Sequence, residues 1–299
     1  MQISRKKRNK VQTVWKGIVF GIVCTFLCLN LWQLYADRHV YEIPDYQKED
    51  LHNILNKKEF SEEDYQFLFR QTGLSKAALE TMLTKEGQEE IYRIQERFFM
   101  EPEISCERNS IISREEWVTK EESRIIFADL EDGDILITPC SHTYGWRNGH
   151  AAIVVDAEKG ETLESVVLGS KSSIQSLDKW TYYPCVMVFR LKDVSKGVRK
   201  EIAQKAKEEL LGVDYGITVG VFSPKYEKPG KVKKTNCAHL VWEAYRFWGY
   251  DLDSNGGAVV TPEDIAESSL LEPVQVVGKK LRGFKDFLII NHVHFSYHQ

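Results

Sequence analysis

The chain has 299 residues, 42% of them hydrophobic and 28% charged, with 19 Gly and 8 Pro, a composition that can bury one or two sizeable cores and excludes the disordered, collagen-like and disulfide-knot classes. The formal net charge of −4 is unevenly spread: Arg5, Lys6, Lys7, Arg8, Lys10 and Lys16 place six positive charges and no acid in residues 1–16, so the remainder carries −10. A net-acidic body argues against a general nucleic-acid binder, which needs a dominant basic surface, and no nucleic-acid partner is expected.

Residues 1–13 form a basic tail, and residues 14–36 are predicted to be a transmembrane anchor. The run VWKGIVFGIVCTFLCLNLWQLY covers 22 residues, which at a helical rise of about 1.5 Å each gives roughly 33 Å, enough to cross a hydrocarbon core. Its strongly polar members, Lys16, Asn30 and Gln33, lie toward the ends, where Lys snorkels and amides meet headgroups. Trp15, Trp32 and Tyr35 sit where interfacial aromatics belong, and the preceding basic cluster predicts a cytoplasmic N-terminus with the body outside the membrane. A cleaved signal peptide is the competing reading, but residues 34–36 are Leu-Tyr-Ala rather than a small-x-small site. Cys24 and Cys28 follow Val23 and Leu27, an unsuitable context for lipoprotein processing, and read as apolar filler of the span. Four cysteines remain outside: Cys106, Cys140, Cys185 and Cys237. With Cys237 kept free for chemistry they allow at most one bridge, for which Cys140 with Cys185 is the candidate pair.

Residues 37–125 are predicted to be a helical extracytoplasmic segment. Helix starts are expected at Ser61 (SEED) and Ser75 (SKAALE), read as capping boxes, and Thr72-Gly73 reads as a helix stop between them. Apolar residues in YQFLFRQTGLSKAALETML and IYRIQERFF recur near the helical period. Such a segment packs on something, as a brace or stalk, or as a lid that regulates or guides.

Residues 126–299 have a different texture. GDILITP, HAAIVVDA, TLESVVLG and VMVFRL read as short strands, VRKEIAQKAKEELLG as a helix, and NCAHLVWEAYRFWG as a second helix led by Cys237. The expected fold class is α+β, a small antiparallel sheet packed on the Cys-led helix.

Cys237 at a helix start favours thiolate, because free backbone N–H groups and the helix dipole stabilise an anion there. Lys225, Lys228, Lys231, Lys233 and Lys234 just upstream add positive potential; a solvated charged loop is the alternative meaning of that run. His150 opens a strand after the polar loop SHTYGWRNG, a suitable place for a fixed base. Glu164 lies in the next strand and can orient the imidazole through its second nitrogen, as the third member of a triad does; the alternative is an outward-facing strand residue. His142 is a rival base if its loop folds inward. His239, two residues after Cys237 on the same helix, points to another face. His292 and His294 share one strand face but lack further ligands at sensible spacing, so no metal and no cofactor are expected.

The ordered set Gly133-Asp134-Ile135, Gly149-His150-Ala151-Ala152-Ile153-Val154, Glu164, Tyr215 in GVDYG, Cys237 and Thr261-Pro262-Glu263-Asp264 resembles circularly permuted NlpC-type papain-like cysteine hydrolases of the YiiX/YaeF-like amidase family. His before Cys, the reverse of ordinary papain-like enzymes, is the permutation signature. The resemblance covers residues 127–275. It implies a papain-like core with Cys237 as nucleophile, His150 as base, Glu164 orienting the base, and the Cys237 backbone N–H with the Tyr215 hydroxyl as oxyanion donors. Asn236 and Ala238 stand where relatives often carry Tyr and Ser, which leaves the nucleophile intact and alters the pocket. The implied reaction is acyl transfer through a thioester.

An outward-facing, anchored cysteine amidase suggests a substrate of the cell envelope, with peptidoglycan peptides the leading class. The runner-up is a lipid-directed acyl hydrolase or acyltransferase, expected if Trp242, Phe247 and their neighbours line an apolar trough. An inactive envelope-binding module is a third reading, one that predicts no effect of Cys237→Ala.

Overall fold

The computed structural model of the chain describes residues 2–36, 41–85, 87–108, 113–143 and 146–278. It begins with the 35-residue helix α1 (Gln2–Ala36), in which Gln12–Trp32 is long and apolar enough to cross a membrane and has none of its surface covered by the rest of the chain. His292 and His294 lie outside the described residues.

Helices α2 (His52–Leu55), α3 (Glu62–Thr72), α4 (Lys76–Lys85) and α5 (Gln88–Phe99) follow. At Ser61 the expected capping box is present: the Ser61 hydroxyl accepts from the Asp64 N–H at 3.2 Å, and the Asp64 carboxylate accepts from the Ser61 N–H at 3.0 Å. Ser75 makes only half of one, because its third helical position is Ala78, which donates its N–H to the hydroxyl and has no carboxylate to return. Gly73 ends α3 with φ +72°, and a Cβ there would sit 2.0 Å from the Val276 carbonyl oxygen. The stop is therefore also a close contact with a strand some 200 residues away.

Helices do not fill the segment up to residue 125. Strands β1 (Ile104–Arg108) and β2 (Ser113–Val118) form an antiparallel hairpin that continues into β4 (Ser141–Thr143) as a three-stranded sheet. ISCER and SREEWV carry too much charge for the periodic signal of a buried strand, since one side of this ribbon faces water.

The main sheet is six-stranded and wholly antiparallel. Its members are β3 (Ile135–Thr138), β5 (His150–Asp156), β6 (Glu161–Glu164), β7 (Ser173–Ser176), β8 (Val186–Leu191) and β11 (Leu271–Val277), in the order β11-β8-β3-β5-β6-β7. Around it lie α6 (Asp178–Thr181), α7 (Lys196–Leu210), the short parallel pair β9 (Asp214–Tyr215) and β10 (Lys234–Thr235), α8 (Cys237–Arg246) and α9 (Pro262–Ala266). The four strands and two helices expected from the sequence are all present, and the class is mixed α+β with antiparallel sheets. The last strand, β11, escapes the pattern because Pro273 interrupts it. Proline is tolerated there because β11 is an edge strand whose register shifts between Pro273 and Gln275.

Side-chain parity explains why the central strands read as continuous apolar runs. Leu136, Ala152, Val154, Val186 and Val188 face one cluster, shared with Leu68, Leu79, Met82, Ile91 and Ile94 of α3–α5. Ile135, Ile137, Ala151, Ile153, Met187 and Phe189 face the other, shared with Ile202 and Ala206 of α7 and Leu240, Val241 and Ala244 of α8. The helical segment is therefore the second covering layer of the sheet. It is a brace, and it shares a core with the domain that follows it. Gln275, 1% exposed, ties the layers further: its side-chain oxygen accepts from the Ala128 N–H and its amide donates to the Ile126 carbonyl, both at 2.8 Å.

The Gly133-Asp134 motif is structural. Asp134, fully buried, binds Arg190 through two parallel hydrogen bonds of 2.7 Å, and the Tyr245 hydroxyl at the far end of α8 donates to the Gly133 carbonyl. Thermal unfolding of the full-length chain checks this clip. Asp134→Asn, which leaves the buried Arg190 guanidinium with only the longer 3.7 Å pairing to Glu131, is expected to cost about 3 kcal/mol, and the double variant Asp134→Leu with Arg190→Met to recover most of it.

Candidate active site

Thr138 pairs with His150 at one end of the sheet, where β3 finishes and β5 begins. Gly149 sets this corner. It has φ +66°, its N–H donates to the Ser141 carbonyl at 2.9 Å, and a Cβ on it would lie 2.8 Å from the Thr138 carbonyl oxygen. Pro262, the first residue of α9, packs against the same spot at 3.5 Å from that Cβ position. The Thr261-Pro262-Glu263-Asp264 element closes its own capping box and so presents a rigid wall behind His150.

The His150 ring is 4% exposed, and its Nε2 lies 2.6 Å from Glu164 Oε2. Glu164 faces inward. Its Oε2 also accepts from Lys179 Nζ at 2.6 Å, while Oε1 accepts from the Thr162 hydroxyl at 2.6 Å and the Trp180 indole N–H at 2.9 Å. Trp180 in addition stacks on the imidazole, with ring centroids 5.5 Å apart and planes within 16°. Burial would raise the carboxyl, but the hydrogen bond and charge of His150, then the charge of Lys179, outweigh it and hold Glu164 down at about 2.

Cys237 enters from the other covering layer, as the first residue of α8, with Asn236 as N-cap accepting from the His239 N–H at 3.0 Å. Since Nε2 is taken by Glu164, Nδ1 is the imidazole atom left for the thiol. Burial pushes Cys237 up, yet the hydrogen bond and charge of His150 and the backbone N–H groups of Ala151 and Ala238 carry the thiol below its ordinary value. Reciprocally, burial would lower His150, but its hydrogen bonds to Cys237 and Glu164 raise it to about 9. Both shifts favour the thiolate–imidazolium form of the pair over the neutral one.

Tyr215 lies on β9, and its strand partner is Thr235, two residues before Cys237. Burial first, then the negative charge of Cys237, raises its hydroxyl, so it stays an O–H donor next to the sulfur. The Cys237–His150–Glu164 set, with Tyr215, thus converges from four separate elements of the chain.

The other histidines are elsewhere. His239 places Nε2 2.8 Å from the Lys225 carbonyl and Nδ1 3.1 Å from the Thr235 hydroxyl, and burial with nearby Arg246 and Lys225 lowers it to about 4. It is a neutral brace. His142 is in strand β4 rather than a loop, fully buried, with Nε2 3.7 Å from Cys106 Sγ. Cys140 and Cys185 are separate free thiols, so the candidate bridge is absent; Cys140 Sγ lies 3.7 Å from the Cys185 carbonyl oxygen. Trp242 is fully buried with its indole N–H on Asp251 at 2.7 Å, and cannot line an open trough. Lys225 is buried against Asp253 and donates to the Gly257 carbonyl at 2.6 Å; the lysines left exposed upstream of Cys237 are Lys228, Lys231, Lys233 and Lys234. Among the described residues no three His, Cys, Asp or Glu side chains are grouped to hold a metal ion.

Lys179, Trp180, Thr162 and the Ala151 N–H were not evident from sequence. Lys179-Trp180 lies in a short helical turn with no motif around it, and its value to the site is entirely tertiary.

Two measurements follow. The midpoint for alkylation of Cys237 should lie below the ordinary thiol value of about 8.5, and His150→Ala should move it up toward or beyond that value; cysteine-directed labelling with Cys106, Cys140 and Cys185 replaced reads this directly. Glu164, with its folded value below the unfolded one, contributes stability that is complete above pH 4.5 and lost as pH falls toward about 2. The melting-temperature gap between the unaltered chain and Glu164→Gln should therefore narrow on acidification through that range.

No protein-family model matches the chain, and no curated protein matches it. Among solved structures, the crystal structure of the metalloprotein yiiX from Escherichia coli O157:H7 is similar at a TM-score of 0.40 and 16% identity, over 50% of this chain and 99% of that one.

Proposed function

We propose that this chain is a membrane-anchored cysteine hydrolase that cleaves amide bonds of cell-envelope material, with peptides of peptidoglycan as the leading substrate class. The observation that carries the reading is the hydrogen-bonded relay from Glu164 through His150 to Cys237, a buried carboxylate and imidazole leading to a partly accessible thiol. The chain order of His before Cys, together with an antiparallel sheet backed by a Cys-led helix, supports a permuted NlpC-type papain-like core. The basic cluster in the first turns of α1, ahead of its apolar stretch, supports a cytoplasmic N-terminus with the catalytic body outside.

In this mechanism the Cys237 thiolate attacks the carbonyl carbon, and the C=O pair moves onto oxygen. In this reading the backbone N–H of Cys237 and the Tyr215 hydroxyl donate to the oxyanion. Collapse breaks the C–N bond as the imidazolium of His150 gives its proton to the leaving nitrogen, leaving a thioester and a free amine. Water then attacks the thioester, the neutral imidazole taking its proton, and release of the acid restores the thiolate and imidazolium. Glu164 keeps its charge throughout, steadying the ring in both protonation states.

Lipid-directed acyl hydrolysis is the second reading, favoured by one observation: Ile217, Val221 and Phe222, in the loop that follows Tyr215, are exposed. The same four steps serve an acyl ester.

A panel of envelope peptides and acyl lipids tests the reading, with intact-mass detection of the acyl-enzyme. Cys237→Ala should abolish both turnover and the adduct. Turnover should fall on the acid side as the thiolate is protonated, and on the alkaline side as His150 loses its proton near pH 9, because the leaving group then has no acid. Unchanged activity in Cys237→Ala would overturn the proposal.

A further inference from the structure

The strand register fixes which end of the body the anchor meets. Val277 at the end of β11 pairs with Val186 at the start of β8, and β8 runs antiparallel to β3, so Gly278 lies at the same end of the sheet as Thr138 and His150. Tyr41 packs on Gly278, and the Glu42 N–H donates to the Gly278 carbonyl at 3.1 Å. The point where the body joins α1 and the point where His150 meets Cys237 are thus on one rim, three strand spacings or about 14 Å apart. Five Cα–Cα steps connect Ala36 to Tyr41, a covalent reach of at most ~18 Å. The opposite rim, at the far end of the seven-residue strand β5, is about 20 Å further away.

The site rim also carries the body's concentration of exposed large apolar side chains. Phe222 is 86% exposed, Val221 57% and Ile217 54%, whereas Val219 between them is 2% exposed and roots the loop. Gly220 in this loop leaves no room for a Cβ beside the Ala258 carbonyl, three residues before the Thr261 cap whose Pro262 backs His150. Leu168, 63% exposed, lies on the neighbouring loop, whose Ser170 carbonyl accepts from the Tyr215 N–H at 3.0 Å. Exposed apolar tips and, in the same stretch between Tyr215 and Cys237, four exposed lysines (Lys228, Lys231, Lys233, Lys234) combine the two attractions that hold a protein at an anionic membrane surface, apolar burial and headgroup contact.

We infer that the rim bearing Cys237 and His150 docks on the lipid bilayer, with Ile217, Val221 and Phe222 inserted at its interface, so that substrate reaches Cys237 from the membrane side. The inference rests on α1 being a membrane anchor and deepens the proposed function: the substrates it favours are those presented at the bilayer, lipids or lipid-linked precursors, over material distant from it.

The test uses the full-length chain in nanodiscs of phosphatidylcholine and phosphatidylglycerol, with a benzophenone amino acid placed singly at Phe222, at Phe20 in α1, or at Glu158 in the turn on the opposite rim. All three positions are exposed, so none is needed for folding. Mass spectrometry after illumination should find lipid adducts at Phe20 and Phe222 and several-fold fewer at Glu158. An adduct at Phe20 with Phe222 no higher than Glu158 would overturn the docking while leaving the anchor in place. Crosslinking of Phe222 to a second copy of the chain in place of lipid would assign the patch to self-association and likewise overturn it. No lipid adduct at Phe20 would remove the anchor itself, and this inference with it.

Discussion

A buried carboxylate is the constraint around which the site is built. Glu164 has no exposed surface, and an isolated charge there would cost many kcal/mol. It is tolerable because four donors from three elements converge on its two oxygens: Thr162 from its own strand, His150 from β5, and Lys179 and Trp180 from α6. Each donor is oriented by satisfying that charge. The ring of His150 is fixed in turn, both by the hydrogen bond and by the indole stacked on it, so its second nitrogen is held toward the helix start where Cys237 sits. Low dielectric then strengthens each step of the line, from carboxylate to imidazole to thiol.

The sheet makes that convergence possible by having two different covers. Residues alternate along β5, so Ala152 and Val154 face the α3–α5 layer while Ala151, Ile153 and Val155 face α7 and α8. His150 and Glu164 contact Trp180, which belongs to the first cover; Cys237 belongs to the second. They meet at the rim because β5 begins where α8 begins, and α8 is held in that register by Tyr245 on Gly133 at its other end. Loss of the helical layer would therefore expose the back of the triad as well as one face of the sheet. The segment preceding His150, Glu164 and Cys237 is as much a part of the site's support as the domain that contains them.

What the sequence discloses follows from the range of the interaction involved. The central strands and the two long helices are visible because their burial is periodic, and Cys237, His150 and Glu164 are visible because short local signals mark a helix start, a strand mouth and an acid in a strand. β1, β2 and β11 are not, since the first two are half-solvated and charged and the third carries a proline that only an edge position tolerates. The same reason hides Lys179 and Trp180. Neither has a local signature, and both matter only because one residue, Glu164, 15 positions before the first and 16 before the second, folds beneath them. The buried Lys225 shows the converse error: a run of lysines reads as one solvated face, but one member is withdrawn to pair with Asp253 and leaves the others exposed.

Topology, finally, links chemistry to location in a way composition alone does not. In an antiparallel sheet every strand end falls on one of two rims, so the rim that meets the residues after α1 and the rim that carries Cys237 either coincide or are separated by the full strand length. Here they coincide, because β11 ends beside the start of β8 and the residues after α1 dock on Gly278. A connection of five Cα steps between α1 and Tyr41 keeps the end of α1 closer to this rim than to the opposite one. The exposed Ile217, Val221 and Phe222 would be an aggregation hazard on a freely diffusing domain. If α1 tethers the domain within reach of lipid, the same side chains have a surface to occupy.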